Sequence, residues 1–294
     1  MASSAPCISV IVPVYNDWHH IPALMDCLAR QTLPAEQFEV LLVDNGSDVF
    51  LPPEMTATNV RILHCHIPGS YAARNRGIEQ ARGDWLAFTD SDCRPRPDWL
   101  EQFRAQRPEQ GGETPNPHLF AGQVRMTASG PDPGPWEMHD LVKGIPQGWY
   151  VQRGYAATAN LLVPGELARR LGGFDTARYS GGDADFCRRA LASGAGLHYL
   201  EKAIVDHPAR TTWHQLASKY LRIKGGQIKQ GSRRQRLLWT VRTFLPPVIA
   251  FYRFLARPGW PLRYRLTACA VQTRLWGLEM KETLRLLQRA EPRR

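Results

Sequence analysis

Residues 72–92 read AARNRGIEQARGDWLAFTDSD. The first eleven residues continue a helical pattern that starts at Tyr71 and is closed by Gly83. Residues 85–88 are then a short apolar run ending at Thr89-Asp90-Ser91-Asp92. An apolar strand therefore delivers two acids, separated by one small serine, to its carboxyl end. The same alternation extends in both directions. Upstream, residues 8–12 form a continuous apolar run, as expected of a strand covered on both faces. Residues 21–31 carry Ile21, Leu24, Met25 and Leu28 at helical spacing, residues 38–43 form a second run ending in Asp44-Asn45-Gly46-Ser47, and residues 60–65 a third. Downstream, residues 98–106 predict a helix with Pro97 at its start, and 119–126 a fifth strand. A strand over 159–163 and helices over 166–171 and 184–192 follow. The spacing predicts an α/β fold with an open, mostly parallel central sheet, in which ligands bind beyond the carboxyl ends of the strands. Residues 127–158, rich in Pro and Gly, predict an irregular loop facing substrate.

Composition narrows the class. The 294 residues are 43% hydrophobic and 22% charged, which excludes a disordered chain, and six scattered cysteines without a Cys-x-x-Cys pair argue for reduced thiols in a cytoplasmic protein. Residues 1–200 hold 17 basic and 22 acidic residues, whereas 201–294 hold 20 and 5. A net −5 body thus carries a net +15 tail. Residues 1–5 show no secretory signal, and the longest uncharged apolar stretch of the tail, residues 243–252, holds Pro246 and Pro247 and is too short to span a membrane. From about residue 211 the tail interleaves Lys and Arg with Trp, Tyr, Phe and Leu. It predicts amphipathic helices on an anionic membrane surface, with Trp276, Met280, Leu284 and Leu287 on one face. The other reading packs that stripe on the catalytic domain or on a second subunit of a homo-oligomer.

The chemistry-bearing residues are carboxylates at strand ends: Asp44, the Asp90/Asp92 pair, and Asp183/Asp185 after a Gly-Gly turn. Asp-x-Asp pairs occur by chance and also cap helices. The position of the first pair, at the sheet edge where ligands bind, favours chemistry. Two adjacent carboxylates repel unless a cation lies beside them, and oxygen ligands favour Mn²⁺ or Mg²⁺ with a ligand phosphate completing the shell. The chain lacks GxxxxGK[ST], GxGxxG after a strand, HExxH and GxSxG, which argues against Walker-type NTPases, dinucleotide oxidoreductases, zinc proteases and serine hydrolases.

ISVIVPVYN (8–16), LLVDNGSD (41–48), the 72–92 stretch, TANLLVP (158–164) and GGFDTARYSGGDADFCRRA (172–190) together resemble the inverting glycosyltransferases of family two, with the GT-A fold. The ordered set covers about two-thirds of the chain and stops near residue 211. The resemblance implies a catalytic domain over 1–210, with a nucleotide-binding part to about 125 and an acceptor part over 126–210, followed by a basic helical extension over 211–294.

It also implies a metal-dependent transfer of a sugar from a nucleotide-diphosphate sugar to a hydroxyl acceptor, in polysaccharide or glycolipid assembly. Pro13, Tyr15 and Asn16 would line the base and Asp44 would accept hydrogen bonds from base or ribose. Arg74 would lie near the base or diphosphate, and Asp90 would meet the ribose. Asp92 and His207 would hold the metal, while Arg210 is placed to close over the diphosphate. Asp183 would be the general base, although the family usually carries an acid immediately before it, where this chain has Gly182. Asp185 suits a first helical turn. Trp149, Tyr155 and Asn160 are acceptor-side candidates, the acceptor being lipid-linked if the protein works peripherally at the inner membrane face. A nucleotidyltransferase acting on sugar phosphate is the competing enzyme reading, told apart by its pyrophosphate leaving group. A nucleic-acid-binding scaffold would not need acids at strand ends, and no nucleic-acid partner is expected.

Overall fold

The computed structural model describes residues 6–54, 57–106, 117–288 and 290–292, so the leader reading of residues 1–5 lies outside the described residues. In chain order the elements of the first part are β1 (Ile8–Val14), α1 (Ile21–Ala29), β2 (Phe38–Asp44), β3 (Val60–His64), α2 (Ser70–Gln80), β4 (Trp85–Phe88), β5 (Arg94–Pro95), α3 (Trp99–Arg104) and β6 (His118–Thr127). Next come α4 (Pro135–Lys143), α5 (Gln147–Val151), β7 (Leu161–Pro164), α6 (Gly165–Arg170), α7 (Gly182–Ala192) and β8 (Gly196–Pro208). The basic end forms α8 (Trp213–Lys229), α9 (Arg233–Thr243), α10 (Val248–Leu255) and α11 (Leu262–Leu287).

One eight-stranded sheet runs β3-β2-β1-β4-β7-β6-β8-β5. β2 is buried along its whole length and β1 along all but Pro13, as their uninterrupted Val/Ile/Leu runs require, and both pair in parallel with their neighbours. Past β4 the sheet changes character. β7 runs antiparallel to both β4 and β6, and β5 antiparallel to β8, so the parallel prediction holds for one half of the sheet. The cause is local: β7 enters at Leu161 opposite Phe88, the last residue of β4, and leaves at Pro164 opposite Trp85. The start of β7 therefore lies at the edge where β1, β2 and β4 end. Ile11, Leu41, Leu86, Phe88, Leu161 and Val163 from these strands pack on Ala73 and Ile78 of α2 and on Phe186 and Ala190 of α7. Phe174 links the layers, with ring centroids 4.6 Å from Phe186, 5.4 Å from Phe88 and 5.9 Å from Tyr71.

The chain divides into two compact units. The first comprises Met1–Arg125, Ile145–Thr176 and Gly182–His207; the second comprises Met126–Gly144, Ala177–Gly181 and Pro208–Arg294. The expected irregular loop over 127–158 is not what forms. It holds α4 and α5, and its Pro and Gly mark helix ends: Pro135 opens α4, where a missing N–H costs nothing, and Gly144 closes it at φ +61°. α4 joins the second unit rather than the acceptor half because it is apolar toward the tail helices. Trp136 packs on the Leu216–Tyr220–Val271–Leu275 cluster, and Val142 on Phe254 and Ala268.

Within the second unit, α8 and α9 each start with a full capping box, Thr212 with Gln215 and Ser232 with Gln235. The stripe expected on α11 is divided. The Trp276 indole N–H donates to the Thr243 carbonyl at 2.7 Å, whereas Leu284 and Leu287 are exposed. None of the six cysteines forms a disulfide. Among the described residues no helix is long and apolar enough to cross a membrane.

Candidate active site

The ends of β1 and β2 lie side by side, Val14 opposite Asp44. The Asp44 carboxylate accepts from the Trp18 indole N–H at 3.0 Å and from the Gly46 and Ser47 backbone N–H groups at 3.1 and 3.3 Å. Burial alone would raise its pKa, but the hydrogen bonds from Ser47, Trp18 and Gly46 outweigh that and hold it below the ordinary carboxylate value. Asp44 is therefore an anion that presents acceptor oxygens and cannot donate. Asn16 is the one non-glycine residue at positive φ (+53°) among the described residues, a region that asparagine tolerates. Its side chain donates to Asp48 at 2.7 Å and accepts from the Asp48 N–H at 2.8 Å, clamping the loop after β2. Tyr15 beside it is 58% exposed, an open ring face at the sheet edge, and Pro13 is half-buried.

At the end of β4, Asp90, Asp92, Cys93 and His207 each offer a ligand atom, all within 4.8 Å of one another. His207 arrives because β8 pairs antiparallel with β5, Asp206 opposite Arg94. Its Nε2 lies 3.8 Å from an Asp92 oxygen, beyond hydrogen-bond length. Arg74, buried on α2, donates to Asp90 at 2.6 Å, so these two sequence candidates are paired with each other, and the Arg74 Nε is buried without a partner. Ser91 donates to Asp17 and ties this loop to the end of β1. Burial, then the Asp90 and Asp92 charges, push the Cys93 thiol well above its usual value, so it stays protonated and is a poor ligand. What remains is a carboxylate pair and a buried imidazole, a donor set that fits Mn²⁺ or Mg²⁺.

Asp183 opens α7, and one of its oxygens accepts from both the backbone N–H and the hydroxyl of Thr158, each at 3.2 Å. Next to Thr158, the Ala159 carbonyl accepts from the Thr89 hydroxyl at 3.1 Å. Asp183 and the Asp90/Asp92 loop are thus joined through residues 158–159 on one sheet edge, with Asp44 two strands away. Asp185 instead pairs with Arg189 at 2.9 Å, one turn along the helix, and Arg189 also binds the Leu171 and Gly173 carbonyls.

Gly182, the departure from the family pattern, has a physical cause. A Cβ there would lie 2.6 Å from a Tyr71 ring carbon, and the Gly182 N–H donates to the Tyr71 hydroxyl at 2.9 Å. Tyr71 takes the room that an acidic side chain would need. Trp18 and Thr158 hold the candidate carboxylates Asp44 and Asp183, and Tyr71 holds the backbone beside Asp183, yet the sequence marks them only as members of matched stretches or as aromatics.

On the acceptor side the candidates separate. Trp149 is half-buried with the Arg153 guanidinium 3.4 Å above its ring, and Tyr155 stacks on Tyr150 at 4.7 Å. Asn160 is fully buried, accepts from the Trp99 indole at 2.8 Å, and donates to the Gln123 and Ala203 carbonyls at 2.8 Å each. No donor is left for a substrate. Arg210 is likewise held, in the second unit, by Asp140 at 2.9 Å.

The sequence profile described as glycosyl transferase family 2 matches residues 9–106. Over 237 residues the chain is 35% identical to Glycosyltransferase AglE of Haloferax volcanii, covering 78% of this chain and 75% of that one. The chain belongs to glycosyl transferase family 2. A more distant relative, the pre-mycofactocin glycosyltransferase of Mycobacterium tuberculosis, is 29% identical over 217 residues, 69% of this chain and 43% of its own length. Two solved structures share the GT-A fold. The mannosyltransferase PcManGT of Pyrobaculum calidifontis, in complex with GDP-Man and Mn²⁺, superimposes with a TM-score of 0.56 at 14% identity, over 98% of this chain and 89% of its own. S. aureus TarS 1–349, in complex with UDP-GlcNAc, gives 0.53 at 16% identity, over 95% and 80%. This family-two chain is therefore a GT-A glycosyltransferase.

Proposed function

We propose that the enzyme moves a sugar from a nucleoside-diphosphate donor to a hydroxyl acceptor, a polysaccharide or glycolipid intermediate, with inversion at the anomeric carbon. The observation that carries this is the Asp183 carboxylate, oriented by two donors from Thr158 on the edge that also gathers Asp90, Asp92 and His207. Nucleotide-sugar complexes of PcManGT and TarS, proteins of the same fold, support the donor class.

Tyr15 and Pro13 offer the base an apolar face, and Asn16 fixes the loop beneath it. Asp44, ionised and acceptor-only, takes N–H or O–H donors of base or ribose. Asp90, held by Arg74, meets the ribose, and the guanidinium adds positive charge where the diphosphate lies. Asp92 and His207 would hold Mn²⁺ or Mg²⁺, which when bound supplies charge neutralisation of the departing diphosphate. Asp183 accepts the proton of the acceptor hydroxyl as its oxygen attacks the anomeric carbon from the face opposite the diphosphate. The carbon–oxygen bond to the diphosphate breaks, and the pair leaves on the diphosphate. The two hydrogen bonds from Thr158 hold the Asp183 carboxylate in place for that transfer.

The test is release of nucleoside diphosphate from a panel of nucleotide sugars with Mn²⁺ or Mg²⁺. Asp183→Asn is expected to lose roughly a hundredfold or more of kcat; full activity in that variant would overturn the assignment, and pyrophosphate release would turn it toward nucleotidyl transfer.

A further inference from the structure

The second unit leaves a long apolar face uncovered. On α9, Leu237, Leu238 and Val241 follow one another at helical spacing, and Phe244 and Leu245 continue the face. On α10, Val248, Ile249, Tyr252 and Leu255 repeat it, and Leu262 and Leu266 extend it onto the first turns of α11. Their exposures run from 41% at Phe244 to 73% at Tyr252, whereas Thr243 and Phe254 are buried. Soluble proteins rarely leave so many large aliphatic side chains of one short stretch exposed to water.

Charge identifies the occupant. Residues 207–278 contain fourteen Lys and Arg and no Asp or Glu, and Arg233, Arg234, Arg242, Arg253 and Arg263 are exposed among the apolar residues.

We propose that the α9–α10 surface docks on an anionic lipid bilayer. The two helices lie in the headgroup plane, their aliphatic side chains below the phosphates and their arginines at them. The Pro246-Pro247 break keeps each helix short, and neither can cross the bilayer. A nucleic acid would satisfy the arginines but leave the leucines and valines against a polar polymer. A second copy would set one highly basic face against another. A bilayer with anionic headgroups satisfies both features together.

The test is flotation of the full chain with vesicles of phosphatidylcholine alone and of phosphatidylcholine mixed with phosphatidylglycerol. The chain is expected to float with the mixed vesicles and to bind the neutral ones about tenfold less. The double variant Leu245→Glu/Ile249→Glu and the double variant Arg234→Glu/Arg253→Glu are each expected to reduce flotation about tenfold with an unchanged thermal midpoint. All four positions are exposed, so folding is preserved. No flotation with mixed vesicles, or an apolar variant that floats like the parent, would overturn the proposal. So would sedimentation showing that the apolar variant dissolves a dimer. Flotation does not read sugar transfer, so this outcome is separate from that of the Asp183 test.

Discussion

Thr158 gives both its backbone N–H and its hydroxyl to the same oxygen of Asp183, each at 3.2 Å. The second oxygen of the carboxylate receives neither donor, so one oxygen is oriented by Thr158 and, if Asp183 is the proposed base, the other takes the acceptor proton. Removing the hydroxyl in Thr158→Val deletes one of two orienting bonds to a charged group, worth about 1.5 kcal/mol, or roughly tenfold in kcat. If Asp183 acts only as the proposed base, KM for the donor should hold. Thr158→Ser should recover most of the rate; a Val variant with parental kcat would show that the hydroxyl orients nothing.

Asp92 and His207 reach one another from distant parts of the chain, and their pairing makes a second expectation. If both hold the divalent ion, Asp92→Asn and His207→Ala should each weaken Mn²⁺ binding, read by calorimetry in the presence of nucleoside diphosphate, by at least about tenfold. Cys93→Ser should leave Mn²⁺ affinity unchanged, since the Cys93 thiol is kept protonated by burial and the neighbouring carboxylates. Equal Mn²⁺ affinity in all three variants would remove the ion from this cluster.

Asn160 joins three parts of the scaffold: Trp99 on α3, Gln123 on β6 and Ala203 on β8. The fit is close, since a Cβ on Gly122 would lie 2.3 Å from the Asn160 amide nitrogen. Asn160→Ala strands a buried indole N–H and two carbonyls, at a cost of about 3 kcal/mol. Chemical denaturation should show that loss, whereas KM for any acceptor of the remaining folded enzyme should not move. A specific rise in acceptor KM with parental stability would return Asn160 to the acceptor side.

How much of this could be read from residues alone depends on which force shapes each element. β1, β2 and β4 were legible because strands buried on both faces must be uniformly apolar. β8 is hard to read, since its first half exposes His198, Tyr199, Glu201 and Lys202 without a two-residue alternation and reads as loop. α4 was hidden by the Pro and Gly that bound it. The carboxylates at strand ends announced themselves, but their supports did not: Tyr71 reaches Gly182 across 111 positions of sequence, and no local pattern encodes such a contact. Asn160 shows the converse. A polar residue in a matched stretch invites a ligand role, and only burial reveals that its partners are protein.

The last expectation concerns pH and lies in the second unit. His139 is fully buried on α4; burial, then the nearby Lys143, lowers its pKa to about 4. Its Nδ1 is buried without a partner, and Nε2 lies 3.2 Å from the Gln272 side-chain oxygen. The folded chain therefore keeps this ring neutral where the unfolded chain, with a pKa near 6.5, protonates it. Between pH 6.5 and about 4 the unfolded state binds more protons, so stability is full above 6.5 and falls as pH drops. Between pH 7.5 and 5 this group alone should cost about 2 kcal/mol. Asp140 does not contribute in that window: burial opposes its charge, but Lys219 and Arg210 hold it far below the usual carboxylate range, and it stays ionised throughout. Urea denaturation at the two pH values should show the loss in the parent and a loss smaller by about 2 kcal/mol in His139→Gln, which has nothing to protonate. An identical pH dependence in that variant would mean that His139 is charged in the fold or that its neighbours absorb the proton.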